Sequence, residues 1–269
     1  MSYHTIFTVI TEHSASTVTA RYAISLAAAC KAGLVLYAAH DEESNEILIR
    51  RAARHMDHLY TVATEQGISV TRITETGNIC ELLPARVLER RADLVFYHLM
   101  PGERYGAKLR KHVVHHLLKA ISSDLAIMRV VAMVKPHPGT ILAPLGNGGD
   151  AAGHRLMFVA AVAGCFNARI TLLHISKKRG ITAMPDGVTR FREQLQQQHL
   201  TVLERCGTGN IAEAIGVEAI TRHNDLIVMG ASERGRLHSF FLGNPAGMVM
   251  RQPPCNCILF RPAPESEAS

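Results

Sequence analysis

One four-residue segment occurs twice in this chain of 269 residues. Residues 76–79 read Thr-Gly-Asn-Ile, and residues 208–211 read the same, at a shift of 132 positions. The same shift superposes further identical residues: Glu81 on Glu213, Arg90 on Arg222, and Asp93-Leu94 on Asp225-Leu226. Because the register holds across a predicted helix and into the next strand, we interpret the chain as two copies of one domain.

Each copy alternates apolar runs with helical patterns. In the first copy, strands are predicted at 5–10, 34–39, 69–74, 94–97 and 125–131, with helices over 17–32, 46–66, 78–91 and 107–121 between them. In the second, strands are predicted at 140–143, 170–174, 201–204, 226–229 and 257–260, with helices over 152–166, 188–198, 211–222 and 244–251. This alternation predicts an α/β fold in which each copy is a five-stranded parallel sheet with helices on both faces.

The predicted organisation is two domains and a tail. Domain 1 covers residues 1–134, and residues 135–139 (Lys-Pro-His-Pro-Gly) form a linker. Domain 2 covers 140–261, and a disordered tail follows over 262–269. Each domain is long enough to bury a core of its own.

Composition argues against several classes of partner. No apolar run of 18 residues exists, so no membrane span is predicted. The first residues lack a basic and an apolar region, so no secretory signal is expected. The net charge of +6 invites a nucleic-acid partner, but the charges are spread and Trp is absent. A solvated basic surface is therefore preferred, with no nucleic acid.

Neither cysteines nor histidines form a convincing metal or redox motif. The six cysteines contain no CxxC pair, and we interpret them as small buried side chains. Cys255 and Cys257 alternate along a predicted strand, which points their sulfurs to opposite faces. His112 and His116 are spaced to chelate a metal on a helix, but no further ligand has a matching spacing. No metal is expected, although a metal or redox role for either pair is kept as an alternative.

A glycine-bounded loop follows the fourth strand of the second copy. Gly230 ends that strand, where a missing side chain allows a ligand to approach the backbone. Gly243 and Asn244 then precede Pro245 at the start of a helix, whose free amides favour an anion. A phosphate group fits between the two glycines, although the same residues also suit an ordinary helix start.

Residues 225–262, which read DLIVMGASERGRLHSFFLGNPAGMVMRQPPCNCILFRP, resemble the C-terminal part of the universal stress protein family. In that family a strand ending in Met-Gly leads into Gly-x2-Gly-x9-Gly-(Ser/Thr), a helix and a final strand. With the repeat, the chain is similar to a tandem member of this family. The resemblance implies two Rossmann-like domains of the adenine nucleotide alpha hydrolase-like type, binding of ATP or another adenine nucleotide, dimer-like pairing of the domains and a cytoplasmic role in stress survival.

The second copy departs from the family pattern in its loop and after its first strand. The second motif glycine falls on Glu233, whose charge repels phosphate, and the final Ser/Thr falls on Asn244. Gly146 occupies the position of the adenine-reading Asp. We expect a degenerate site, and its candidate ligand-binding residues are Pro144, Gly146, Ile175, Met229, Gly230, Ser232, Glu233, Gly243, Asn244 and Ala246.

The first copy retains none of this signature. His98 replaces Gly230, Thr11 holds the Asp position, and the other motif positions hold Pro101, Lys111 and His112. We therefore interpret domain 1 as structural or partner-binding. Its edge is basic at Lys108, Arg110, Lys111 and His112, which leaves anion binding as an alternative to a solvated helix face.

No catalytic constellation stands out, so a non-enzymatic protein is expected. Ser232 beside Glu233 resembles a nucleophile and base, but no nucleophile-elbow motif surrounds them and a plain loop is preferred. The alternatives are an interaction module without a nucleotide site and a protein that binds ATP weakly or hydrolyses it slowly. The expected partners are the other domain, a second copy in a homodimer, and a protein partner.

Overall fold

The computed structural model describes residues 3–99, 107–133, 137–146, 153–176, 184–231 and 245–264. For residues 107–111 it describes the backbone alone. The chain divides into two compact units. Unit 1 is Met1–Val130 together with Arg261–Ser269, and unit 2 is Val131–Phe260. The boundaries at 134 and 261 and the linker role of 135–139 stay predictions.

Unit 1 contributes the first nine elements. They are β1 (Thr5–Val9), α1 (Ser14–Cys30), β2 (Gly33–His40), α2 (Glu46–Glu65), β3 (Val70–Thr76), α3 (Ile79–Glu89), β4 (Leu94–Leu99), α4 (Ala107–Ala120) and β5 (Asp124–Arg129). The strand order is β3-β2-β1-β4-β5, and all four pairings are parallel. Helices α1 and α2 pack together, as do α3 and α4.

Unit 2 repeats this arrangement. Its elements are β6 (Thr140–Leu145), α5 (His154–Phe166), β7 (Arg169–Ser176), α6 (Asp186–Gln197), β8 (Val202–Thr208), α7 (Ile211–Thr221), β9 (Leu226–Gly230), α8 (Pro245–Arg251) and β10 (Asn256–Arg261). The strand order is β8-β7-β6-β9-β10, again all parallel. The predicted fold class, two five-stranded parallel sheets with helices, is confirmed.

The central strands are buried because helices cover their apolar side chains. In unit 1, Ile6 and Phe7 of β1 have no exposed surface, and in unit 2 the same holds for Ile141 and Leu142 of β6. Such continuous apolar runs are typical of parallel sheets covered on both faces. None of the helices within the described ranges is both long and apolar enough to cross a membrane.

The repeated asparagine caps a helix in each unit. The Asn78 side-chain oxygen accepts a hydrogen bond from the Cys80 amide at 3.0 Å. The Asn210 side-chain oxygen accepts from the Ala212 and Glu213 amides at 2.9 and 3.2 Å. Because the first amides of a helix lack intrahelical acceptors, this residue fixes where α3 and α7 begin.

The repeated aspartate holds the start of the central strand. Asp93 Oδ2 accepts from the amides of His4 and Thr5 at 2.6 and 2.8 Å. Asp225 Oδ2 accepts from the Gly139 and Thr140 amides at 2.9 and 3.2 Å and from Thr140 Oγ1 at 3.1 Å. In both units one carboxylate thus ties the beginning of the fourth strand to the beginning of the first.

Left-handed backbone positions also recur between the units. Gly77 and Gly209, inside the repeated segment, have φ of 135° and 105°. Other pairs are Lys31 with Asn167, Gly67 with His199, and Arg91 with His223. The first helix, predicted over 17–32, ends earlier, at Cys30, because Lys31 adopts the left-handed capping conformation (φ 55°). Gly33 begins β2.

The last described residues complete unit 1. Arg261 donates through Nη1 to the Ser123 carbonyl at 3.0 Å and through Nη2 to the Ile121 carbonyl at 2.6 Å. The Ala263 amide donates to Asp124 Oδ1 at 2.7 Å. Ala263 belongs to the segment for which a disordered tail is predicted, and residues 265–269 of that segment lie outside the described residues.

Replacing either aspartate by alanine tests the strand clamp. We expect Asp225→Ala to lower the free energy of unfolding by about 2 kcal/mol, because it leaves charge-assisted acceptor contacts unmade. Asp93→Ala should have a similar cost. Urea denaturation followed by circular dichroism measures both, with the exposed Glu65→Ala as control. A cost equal to that of the control for both variants would contradict the clamp.

Candidate functional site

The candidate site is the unit 2 edge, defined as the carboxyl ends of β6, β7 and β9. Ligand crevices of open parallel sheets lie beyond these strand ends. Pro144 lies in β6, Ile175 in β7, and Gly230 ends β9, so three predicted ligand residues come from neighbouring strands. Gly146 follows β6 and is exposed.

The other predicted residues divide into two groups. Met229 and Ala246 are buried, so their side chains belong to the packed interior of unit 2. Ser232, Glu233, Gly243 and Asn244 lie outside the described residues. Ligand binding by any of the ten residues stays a prediction.

Arg155 of α5 lies directly over Gly230. A Cβ added at Gly230 would be 2.5 Å from Arg155 Nη1, 3.2 Å from its Cζ and 3.3 Å from its Cδ. Any side chain larger than that of glycine at position 230 would therefore displace the Arg155 guanidinium. The glycine that is predicted to admit a ligand also makes room for a cationic side chain at the strand end.

The position of Arg155 within its helix is electrostatically unusual. His154 and Arg155 open α5, and its first turn contains no acidic residue. The amino end of a helix carries a partial positive charge, which disfavours a neighbouring cation and favours an anion. A guanidinium over a strand-end glycine and beside this helix start is therefore a suitable place for an anionic group.

Sequence reasoning missed Arg155, although a signal was present. A basic pair stands in the first turn of the helix that follows the first strand of the second copy, where acidic residues are favoured. Only the fold places that turn beside the end of β9.

His174 joins two strands at the same edge. Its side chain is buried, and its Nδ1 lies 3.2 Å from the Leu145 carbonyl oxygen. Because the acceptor is a carbonyl, Nδ1 carries the proton and donates. His174 thereby connects β7 to the last residue of β6 and has a structural role.

The equivalent edge of unit 1 is formed by different side chains. Thr11 Oγ1 lies 3.1 Å from His98 Nε2, and the Thr11 carbonyl oxygen lies 2.9 Å from His55 Nδ1. The His13 ring centroid is 6.4 Å from that of His98. Three imidazoles thus surround Thr11 where unit 2 has two glycines.

Cysteine and histidine positions provide no metal site within the described part of the chain. No group of three or more His, Cys, Asp or Glu residues is placed there to hold a metal ion. Burial raises the pKa of the Cys257 thiol, and burial followed by the nearby Asp225 charge raises the pKa of Cys255 to about 12. Both thiols are therefore protonated and poor nucleophiles at neutral pH.

A second polar cluster lies on unit 1, between β3 and α3. Arg86 donates to Glu75 Oε1 at 2.8 Å and also pairs with Glu89, and Tyr37 donates to Glu75 Oε2 at 2.9 Å. The hydrogen bond from Arg86 is the main cause that lowers the pKa of Glu75. The cluster borders an open depression of about 420 Å³. Its carboxylates and guanidinium bind one another, so it is a structural network.

Comparison with known proteins finds a similarity for the second half of the chain. The model of the universal stress protein family matches residues 139–261. These residues are therefore similar to a universal stress protein domain. The match includes the ends of all three strands of the unit 2 edge, and no curated protein matches the chain.

Solved structures share the fold of nearly the whole chain. A universal stress protein from Archaeoglobus fulgidus superposes with a TM-score of 0.70 at 12% identity, covering 97% of both chains. A candidate universal stress protein from Pseudomonas aeruginosa gives 0.67 at 16% identity, covering 97% of this chain and 94% of that one. The cytoplasmic domain of a prokaryotic cation chloride cotransporter gives 0.64 at 11% identity, covering 100% and 98%. At these identities the similarity establishes the fold alone.

Gly230→Ala tests the contact between Arg155 and the strand end. We expect the guanidinium to move, because the new methyl group would lie 2.5 Å from Nη1. Stability should change by less than about 1 kcal/mol, since the clash involves the far end of a flexible side chain. The Arg155 Nε–H resonance in NMR spectra should therefore shift while the melting temperature stays close to that of the parent.

Gly207→Ala is the matched control, because a Cβ there meets only Ile175 and Leu173 at 3.7 and 3.9 Å. It should leave the Arg155 resonance in place. An unchanged Arg155 resonance in Gly230→Ala would show that the guanidinium does not occupy this position.

Proposed function

We propose that this chain is a tandem universal stress protein, a non-enzymatic cytoplasmic protein of the stress response whose unit 2 edge binds a phosphate-bearing ligand. An adenine nucleotide such as ATP is the ligand class that fits the family of the second domain. The tandem interpretation is supported by the shared strand order, the paired asparagine caps and the paired aspartate clamps.

The observation that carries the ligand proposal is the position of Arg155 over Gly230. A guanidinium offers several N–H donors in a planar fork that matches phosphate. At the unit 2 edge it stands beside the amino end of α5, so the side chain and the helix favour the same charge. Arg155 thus replaces part of the phosphate cradle that the loop lost at Glu233 and Asn244.

Recognition of the base is expected to be weak. Gly146 is exposed, and a Cβ built there meets no atom within 4 Å. The position has space but lacks the carboxylate that reads adenine in the family pattern. Binding therefore depends on phosphate more than on the base, and selectivity among nucleotides should be low.

A non-enzymatic role is supported by the chemistry of the same edge. His174 is the buried imidazole at these strand ends, and its Nδ1 is committed to the Leu145 carbonyl. The arrangement therefore suits binding rather than nucleophilic catalysis.

Isothermal titration with ATP and Mg²⁺, and in parallel with adenosine, tests this function. We expect weak ATP binding, and Arg155→Ala should weaken it roughly tenfold because a charge-assisted phosphate contact is lost. Adenosine, which has no phosphate, should bind equally weakly to both proteins. Hydrolysis should not exceed the buffer blank.

Arg190→Ala is the matched control, because it removes the same charge from an exposed position on α6 of the same unit. It should leave ATP affinity unchanged. Equal losses in the two variants would indicate general electrostatic attraction, and no ATP binding by the parent protein would refute the ligand proposal.

A second candidate function, protein interaction through unit 2, is favoured by exposed apolar residues on α7. Val217 and Ile220 lie three positions apart on the same helix face and are 64% and 63% exposed. Large apolar side chains that share an exposed helix face mark an interaction surface. We propose that a second copy of the chain covers this face in a homodimer.

Sedimentation velocity tests the homodimer. The parent protein should sediment as twice 29.4 kDa, and Ile220→Lys should shift it toward the single chain. Ile47→Lys, at an equally exposed position on α2 of unit 1, should leave the dimer intact. A parent protein that sediments as a single chain would contradict the proposal.

A further inference from the structure

We propose that unit 1 carries a built-in occupant of its strand-edge crevice, the His98 imidazole, which fills the positions that unit 2 leaves to its proposed ligand. The inference rests on the proposed function only in that it treats the strand-end crevice as the ligand site. It predicts one exchangeable ligand per chain, in unit 2, and a permanently filled crevice in unit 1.

Strand register establishes that the two crevices are equivalent. In unit 1, Ile6 of β1 pairs with Leu94 of β4, and in unit 2, Ile141 of β6 pairs with Leu226 of β9. Counting from these pairs, His98 and Gly230 are both the fifth residue of their strand. Thr11 and Gly146 likewise lie five residues after Ile6 and Ile141.

The two side chains at these positions in unit 1 bond to each other. His98 Nε2 lies 3.1 Å from Thr11 Oγ1, and the His98 side chain is only 3% exposed. Thr11 is itself held in place, because its Oγ1 accepts from the His13 amide at 3.3 Å and its carbonyl oxygen lies 2.9 Å from His55 Nδ1. The imidazole is therefore buried and oriented as a bound ligand would be.

Unit 2 has glycine at both positions. The space beside Gly146 is open, and Gly230 is covered by Arg155, a side chain from another element of unit 2. In unit 1 the covering ring belongs to the strand itself, and leaving the crevice would break its hydrogen bond to Thr11 and expose the ring. The strand of unit 1 therefore fills its own crevice, and the strands of unit 2 do not.

Chemical rescue tests whether His98 acts as an internal ligand. His98→Gly removes the ring, and the melting temperature should fall. Millimolar imidazole should restore at least half of that loss, while the parent protein gains nothing from the same addition. The double variant Thr11→Val with His98→Gly should bind imidazole roughly tenfold more weakly, because the hydrogen-bond partner is gone.

Phe96→Ala is the matched control. It also removes a fully buried ring from β4, but a phenyl ring has no nitrogen that could bond to Thr11. Imidazole should not restore its stability. Should His98→Gly fail to fold in plain buffer, refolding with and without imidazole gives the same readout. Equal effects of imidazole on all variants, or no recovery of His98→Gly in either buffer, would overturn the proposal.

The outcome is independent of nucleotide binding by unit 2, because imidazole rescue is measured on the stability of unit 1. A protein that binds no ATP but shows rescue would refute the proposed function and keep this inference. ATP titration of His98→Gly adds a second readout. A second ATP site in this variant would support the interpretation that His98 fills a crevice of unit 1 in the parent protein.

Discussion

A single carboxylate sets the geometry on which each unit depends. Asp93 in unit 1 and Asp225 in unit 2 accept hydrogen bonds from two successive amides at the start of the central strand. A parallel sheet lacks hairpins that would fix register by their turn geometry, so register must be fixed otherwise. The carboxylate does so at one end of the strands, and side chains at the other end become free to change.

That division explains how the two units diverged. Of the residues identical at a shift of 132, Asn78 and Asn210 cap a helix, and Asp93 and Asp225 bind strand amides at the end of the sheet opposite the ligand edge. At the carboxyl ends of the strands the two units differ. Unit 1 has Thr11 and His98 at the positions where unit 2 has Gly146 and Gly230. The residues that make these hydrogen bonds are the same in both units. The carboxyl edge, by contrast, has an imidazole cluster in one unit and a guanidinium in the other.

The fold was largely readable from the sequence, and the site only partly. The apolar runs and the helical patterns predicted strands and helices close to their observed bounds, because periodicity acts locally. The end of α1 was misplaced because Lys31, rather than glycine, adopts the left-handed conformation. Arg155 over Gly230 depends on a helix and a strand that are distant in sequence, so no local pattern reveals it.

The contacts of Arg261 and Ala263 have a consequence for how the protein is made. Unit 1 is built almost entirely from the amino-terminal half, yet Arg261 binds the Ile121 and Ser123 carbonyls and the Ala263 amide binds Asp124. These partners are synthesised only after the whole of unit 2. The first domain to be made therefore lacks the donors to one buried carboxylate and two carbonyls until translation has passed through the second domain.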